Sequence, residues 1–371
     1  MRSTRSLLLV ALMVGPAALV AQGPPNVAEA PARPEFAAAI AKARTFIRDT
    51  MRALGAPGSA ITVMRGGRVV WSEGFGFADL EQRVAATPLT RFRVGSVSKA
   101  LTSVLIGRLV EQGKLDLDSP IQRYLPSFPV KRWPITTRQL AGHLGGIRHY
   151  NRAEENFVVR HYGSVTEALD IFKNDSLNFE PGTRFGYSSY GWNLISAVLE
   201  AAGSAPYLAQ MQREVFDRAE LREIVADQVD SIVPGRARWY TRGPNRGGII
   251  NAGFADNSYK WAGGGFLSTT DDLAEFGDAL MNGRLLGSET LALLWTSQKT
   301  RDGKETKYGI GWSVDRDRAG RRTISHGGGS VGGTAFLLLY PNHDLIVAVL
   351  VNSDSTFVGA TATIAEFFLG P

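Results

Sequence analysis

A chain of 371 residues with 44% hydrophobic content can hold one large two-lobed domain or two ordinary ones, with ample material for a core. The lack of any cysteine excludes disulfides, thiolate metal sites, a cysteine nucleophile and a lipid-modified N-terminal cysteine. The net charge of +6 is carried by arginines and lysines scattered among acids, which argues against nucleic acid as a partner and leaves a surface suited to an anionic cell envelope.

Residues 1–21 place Arg2 and Arg5 before an apolar run from Leu7 to Val20 and end at Ala21, the pattern of a secretory signal peptide. The run is short for a membrane span. Export without disulfides points to a secreted or periplasmic protein of a bacterial envelope. Residues 22–34, rich in Pro and Ala, read as a tether, and the folded domain is expected over 35–371. Phe36 to Leu54 fits a helix. Ala60–Met64 and Arg68–Phe75 fit two strands joined at Gly66-Gly67. Leu101, Val104, Leu105 and Leu109 then recur at helical spacing behind Ser96. From about 119 to 240, short helical patterns alternate with loops marked by Pro120, Pro126, Pro134 and Pro181-Gly182, which suggests an inserted, mostly helical lobe. A helix is expected near Thr270–Met281, with Asp271 and Asp272 in its first turn. Strands are expected at Tyr308–Val314, Arg322–His326, Thr334–Tyr340 and Leu345–Asn352, and a last helix at about Ala360–Phe368. The fold class is therefore α+β. One antiparallel sheet would lie between the terminal helices and the Ser96 helix, with a ligand cleft against the helical lobe.

Three segments carry candidate chemistry. In Gly95-Ser96-Val97-Ser98-Lys99, the three-residue spacing puts Ser96 and Lys99 on one face of the first helical turn. A serine hydroxyl is a weak nucleophile, but an adjacent amine kept neutral by burial can take its proton and return it to a leaving group. The helix N-terminus disfavours the ammonium in the same way. The plainer reading is a capping serine and a solvated lysine. Tyr187, in Phe185-Gly186-Tyr187-Ser188-Ser189-Tyr190, would serve as a shared acid/base near Lys99 or else as a packing residue, with Ser189 as an ordinary helix cap. In Ile324-Ser325-His326-Gly327-Gly328-Gly329, the glycines allow close backbone approach, so that the amides of Gly329 and Ser96 could form an oxyanion hole beside a substrate added as a strand. The alternative is a Gly-rich hairpin with a surface histidine. His143, His149 and His161 lack the spacing of a metal set, and no metal or organic cofactor is expected.

Taken together, Ser96-Val97-Ser98-Lys99, Tyr187-Ser188-Ser189 and His326-Gly327-Gly328 resemble, in order and separation, the Ser-x-x-Lys, Tyr-x-Asn and Lys-Thr-Gly or His-x-Gly motifs of the serine β-lactamase and penicillin-binding protein superfamily, most closely its class C-like branch. Gly145 to Tyr150, Asp256 to Gly265 and Tyr308 to Trp312 further resemble the mitochondrial serine β-lactamase-like members, and the likeness runs from about residue 35 to the end. The resemblance implies Ser96 as nucleophile, Lys99 as its base, Tyr187 as shared acid/base, and Ser189, His326, Gly328 and Gly329 as substrate or oxyanion contacts. It also implies a peptidase-like hydrolase of peptide or amide bonds acting through an acyl-enzyme. A carboxylesterase or weak β-lactamase is the alternative. A filament-forming scaffold, or a homo-oligomer, is the reading from another class. Ser189 stands where the family usually has Asn, and His326 where most β-lactamases have Lys, so contacts to a substrate amide and carboxylate must differ.

Overall fold

The computed structural model describes residues 27–28, 33–150, 159–244, 247–354 and 358–370. The expected signal peptide at 1–21 and most of the expected tether at 22–34 lie outside these residues. Within the tether, Val27–Ala28 form a short edge strand, and Pro34–Phe36 make a single 3₁₀ turn leading into the first helix.

The principal strands are β1 (Val27–Ala28), β2 (Gly58–Arg65), β3 (Arg68–Asp79), β4 (Ser313–Arg316), β5 (Arg322–Ser330), β6 (Gly333–Tyr340) and β7 (Leu345–Val351). They form one sheet in the order β1-β3-β2-β7-β6-β5-β4, antiparallel at every step. β2 and β7 come from opposite ends of the chain yet lie side by side, Ser59 opposite Val351 and Arg65 opposite Leu345. The main helices are α1 (Ala37–Leu54), α2 (Val97–Glu111), α3 (Ser189–Gly203), α4 (Trp261–Gly264), α5 (Thr270–Met281) and α6 (Val358–Leu369).

β7 reads Leu-Ile-Val-Ala-Val-Leu-Val because both of its faces are buried. Leu345, Val347, Val349 and Val351 pack with Ile40 and Ile47 of α1 and Ile364 and Phe368 of α6. Ile346, Ala348 and Leu350 point the other way, into the core shared with α2 and α5. A helix that is apolar all round must be surrounded, and every residue of α2 from Val97 to Gly107 is buried. α2 thus lies between the sheet and the helices α3 and α4, which bring the middle of the chain against its N-terminal end. A small sheet of Phe92–Arg93, Phe266–Ser268 and Val225–Ala226 fixes the approach to α2.

The strand expected over Tyr308–Val314 is shorter. Only Ser313–Arg316 pairs with β5, because Gly311 adopts φ +79° and turns Tyr308–Trp312 into a loop. That loop presses on α2: a β-carbon on Gly311 would lie 2.8 Å from the Lys99 carbonyl oxygen.

Candidate active site

The chain reaches α2 through Gly95, whose φ of +48° is costly for a residue with a β-carbon. Space demands glycine as well, since a β-carbon there would come 2.6 Å from the Gly329 carbonyl oxygen. Ser96 occupies the N-cap position, but its hydroxyl makes no capping bond. It is committed to Lys99 instead.

Lys99 is buried in the first turn of α2. Its Nζ lies 2.9 Å from Ser96 Oγ, 3.1 Å from Ser189 Oγ and 2.6 Å from the Gly263 carbonyl oxygen. None of these partners is an anion. Burial, reinforced by the charge of nearby Lys260, holds the amine well below lysine's usual pKa. A neutral amine has two N–H donors and one lone pair. The Gly263 carbonyl can only accept and takes one N–H; Ser189 Oγ can take the other, leaving the lone pair for the Ser96 O–H. The geometry is that of a base in contact with its nucleophile.

The second motif arrives just before α3. Ser188, not Ser189, is the cap of that helix: its Oγ accepts the Gly191 N–H at 2.9 Å and donates to the Arg148 carbonyl at 2.7 Å. Ser189 is released from that duty and turns its hydroxyl to Lys99. Two histidines hold this segment from behind, His143 Nδ1 accepting the Ser188 N–H and His149 Nδ1 accepting the Ser189 N–H, each at 3.1 Å. The His143 ring also lies 4.1 Å from the Tyr187 ring, and its backbone takes a left-handed φ of +60° to get there. His149 is neutral; burial brings it down to about 4, with a smaller repulsion from Lys99 when that amine carries its proton. The Tyr187 hydroxyl bonds to the Ser96 and Ser189 side chains, yet burial outweighs both bonds and pushes the phenol up to about 12. At neutral pH Tyr187 is therefore a proton donor rather than a phenolate.

The third motif is an uncovered strand edge. β4 pairs with β5 no further than Ser313 opposite Ser325, so among the described residues Gly327 to Ser330 have no strand neighbour on that side of the sheet. Val331 and Gly332 alone separate the Ser330–Gly333 pair, and the alternation of an antiparallel ladder then turns the Gly329 N–H and C=O away from β6, towards Gly95 and Ser96. Ser96 and Gly329 line the same cavity, so two backbone amides are at hand for an oxyanion site.

Two expectations need correction. His326 does not reach the cavity. It is buried, with Nδ1 2.6 Å from the Gly327 carbonyl oxygen and Nε2 2.8 Å from the Tyr308 hydroxyl. The carbonyl requires the proton on Nδ1, so Nε2 accepts from Tyr308 and no ring nitrogen is left for a ligand. Burial lowers His326 to about 3, with a smaller repulsion from Lys99 when that amine carries its proton, so His326 supplies no positive charge. Gly328 is likewise packed behind the wall, where a β-carbon would lie 2.0 Å from the Val94 carbonyl oxygen. It permits close packing rather than touching a substrate.

A cavity of about 520 Å³ joins these groups, lined among others by Ser96, Tyr187, Ser189, Gly329 and Lys260. The structure brings together Ser96, Lys99, Tyr187, Ser189 and Gly329. Sequence reasoning missed the Gly263 carbonyl, Tyr308 as the partner of His326, and Lys260. The last comes from the Asp256–Gly265 string, whose three successive glycines signal close backbone approach. His161 pairs with Asp256 at 2.9 Å rather than joining the other two histidines, and no group of three metal-ligating side chains occurs among the described residues.

The beta-lactamase family model matches residues 43–368. The chain belongs to the beta-lactamase family. It is 32% identical over 433 residues to the human mitochondrial serine beta-lactamase-like protein LACTB, covering 88% of this chain and 79% of that one. In structure it is similar to an octameric penicillin-binding protein homologue from Pyrococcus abyssi (TM-score 0.78, 23% identity, covering 89% of this chain and 77% of that one). It is also similar to a D-stereospecific amidohydrolase from Streptomyces sp. (TM-score 0.71, 24% identity, covering 88% and 97%). These two likenesses speak to the fold, which is the mixed α/β architecture of that family, and the family is one of serine hydrolases.

Proposed function

We propose that this beta-lactamase-family chain is an exported hydrolase of peptide or amide bonds that forms an acyl-enzyme on Ser96. The observation that carries the reading is the 2.9 Å contact between Ser96 Oγ and a buried Lys99 amine that has no counter-ion among the described residues. As Oγ attacks the scissile carbonyl carbon, its proton passes to the Lys99 lone pair, and the Ser96 and Gly329 amides receive the developing oxyanion. Collapse of the tetrahedral species expels the amine, which takes a proton from the Lys99–Tyr187 pair. Water then repeats the sequence against the acyl-enzyme and regenerates Ser96. Support for amide substrates comes from the open β5 edge, which can pair with an extended chain, and from the likeness to an amidohydrolase. Export rests on residues 1–21 alone.

The test is covalent labelling followed by a substrate panel. A fluorophosphonate should mark the native protein and fail on Ser96→Ala and Lys99→Ala; equal labelling of all three would sink the mechanism. Turnover of short peptides or amides in preference to p-nitrophenyl esters and nitrocefin is the expected ranking, and the reverse order would reassign the chain to the esterase or β-lactamase alternative.

A further inference from the structure

A second cavity, of about 450 Å³, shares no lining residue with the one around Ser96. Its wall carries three cations, Arg93, Arg236 and Arg238, and among the described residues a single carboxylate, Asp227. Arg238 is answered from outside the cavity, by Glu81 at 3.2 Å and Asp79 at 3.9 Å. Asp227 must serve the other two. Its Oδ2 lies 2.7 Å from Arg93 Nε and also accepts from Asn257 Nδ2 at 2.7 Å. Its Oδ1 stands 3.9 Å from Arg236 Nε, beyond hydrogen-bond reach, and the same carboxylate attracts the Lys260 ammonium. One negative charge is thus shared among more than one positive charge.

Arg236 is the less well served. Its Nη2 donates to the carbonyl oxygens of Gln228 at 2.7 Å and Ser231 at 3.2 Å. Its Nε is buried with no hydrogen-bond partner, and its Nη1 donates to no described residue. The side chain is 22% exposed and lines the cavity, so the guanidinium is within reach of a ligand there. A cation drawn partly out of water with two nitrogens unbonded is costly until something completes it. On the loop that closes the same wall, the amides of Gly253 and Phe254 donate to no described residue. The remaining wall is apolar, formed by Val229, Trp239, Ala252 and Phe254, whose ring is 58% exposed at the rim.

We propose that this cavity is a second ligand site, built for a small monocarboxylate with an aryl or alkyl body. Arg236, with the Gly253 and Phe254 amides, receives the carboxylate, and the apolar wall with Phe254 covers the body. One added negative charge gives Arg236 the partner that Asp227 divides between neighbours, and guanidinium–carboxylate bonds are among the stronger ones available. The volume suits a molecule of that size. The site stands apart from the chemistry of Ser96, so neither depends on the other.

The acid 3-phenylpropionate and its uncharged counterpart 3-phenylpropan-1-ol would be titrated by calorimetry into the full-length protein at pH 7. The acid should bind roughly ten- to a hundredfold more tightly, the value of a hydrogen bond to a charged group. Arg236→Met should abolish that advantage, Arg236→Lys should keep part of it, and Phe254→Ala should weaken both compounds severalfold. In crystals grown with 3-(4-iodophenyl)propionate, the anomalous signal of iodine should lie beside Phe254. Equal binding of acid and alcohol to the wild type, no binding of either, or an advantage that survives Arg236→Met overturns the site. Iodine found beside Ser96 instead overturns it too, and inorganic phosphate binding as tightly as the acid overturns the choice of a carboxylate with an apolar body. The first comparison uses the wild type alone, so a variant that does not fold cannot shield the proposal.

Discussion

Arg93 and Lys99 lie six residues apart, both buried, in surroundings of opposite kind. Arg93 Nε is 2.7 Å from Asp227 Oδ2, its other nitrogens reach the carbonyl oxygens of Val331 (2.8 Å) and Ala255 (3.3 Å), and the Trp239 ring covers it at 4.5 Å. Lys99 meets two hydroxyls and a carbonyl, with no carboxylate in the set. The difference follows from what each side chain can do. Guanidinium does not give up its proton, so the fold must bury a counter-ion with it. An amine can, and a pocket of neutral oxygens makes it do so. Charge kept by Arg93 holds the hairpin of β5 and β6 in place; charge withheld from Lys99 leaves a lone pair beside the Ser96 hydroxyl, as the proposed base requires.

That contrast can be broken most sharply at Lys99. Replacing Lys99 with Met should lower kcat/KM on the best amide substrate roughly 10²- to 10⁴-fold, the usual worth of a general base. The urea midpoint should stay level or rise, because a desolvated amine is removed. A midpoint that collapsed would show Lys99 to be a structural pillar like Arg93. The converse experiment is Asp227→Asn, which leaves the Arg93 guanidinium buried and unpaired and should cost about 3–5 kcal/mol of stability in urea titrations. A loss below about 1 kcal/mol would mean that the carbonyls and Trp239 suffice.

The effect smallest at each step, a slope per pH unit, sharpens the comparison through titration. Burial, with help from the Arg93 charge and against the pull of Asp227, brings Lys260 down to about 7, whereas an unfolded lysine titrates near 10.5. Between these values the unfolded chain binds the extra proton, so stability should rise with pH by at most about 1.4 kcal/mol per unit. Below pH 7 the slope from this group vanishes. Subtracting the Lys260→Met profile from the wild-type profile isolates it, and a flat difference from pH 7 to 10 would show that Lys260 stays charged in the fold.

Much of the sheet was legible because a short apolar, β-branched run bounded by turn residues is a local signal, as in β2, β6 and β7. Ser96 and Lys99 were legible for a similar reason, since three residues along a helix is a fixed geometry. What failed depends on distant partners. Tyr308–Trp312 has strand-like apolar content, but Gly311 must turn to clear the α2 backbone. His326 was read as facing the ligand, and its orientation is decided by Tyr308, eighteen residues earlier. Of two adjacent serines, the cap proved to be Ser188, a one-residue shift that periodicity does not resolve. The Gly263 carbonyl carries no side-chain signal at all; it becomes a ligand of Lys99 only because α4 docks on α2.

The pairing of β2 with β7 has a consequence in time. Ser96 and Lys99 follow the first hairpin, whereas Gly329 lies on β5 and is positioned through β6 by β7, which closes a loop of nearly the whole chain onto β2. Such long closures are entropically slow and come late in assembly. On the proposed mechanism, a nascent chain emerging from the ribosome would hold Ser96 long before Gly329, and so would remain inert until synthesis had passed the last strand.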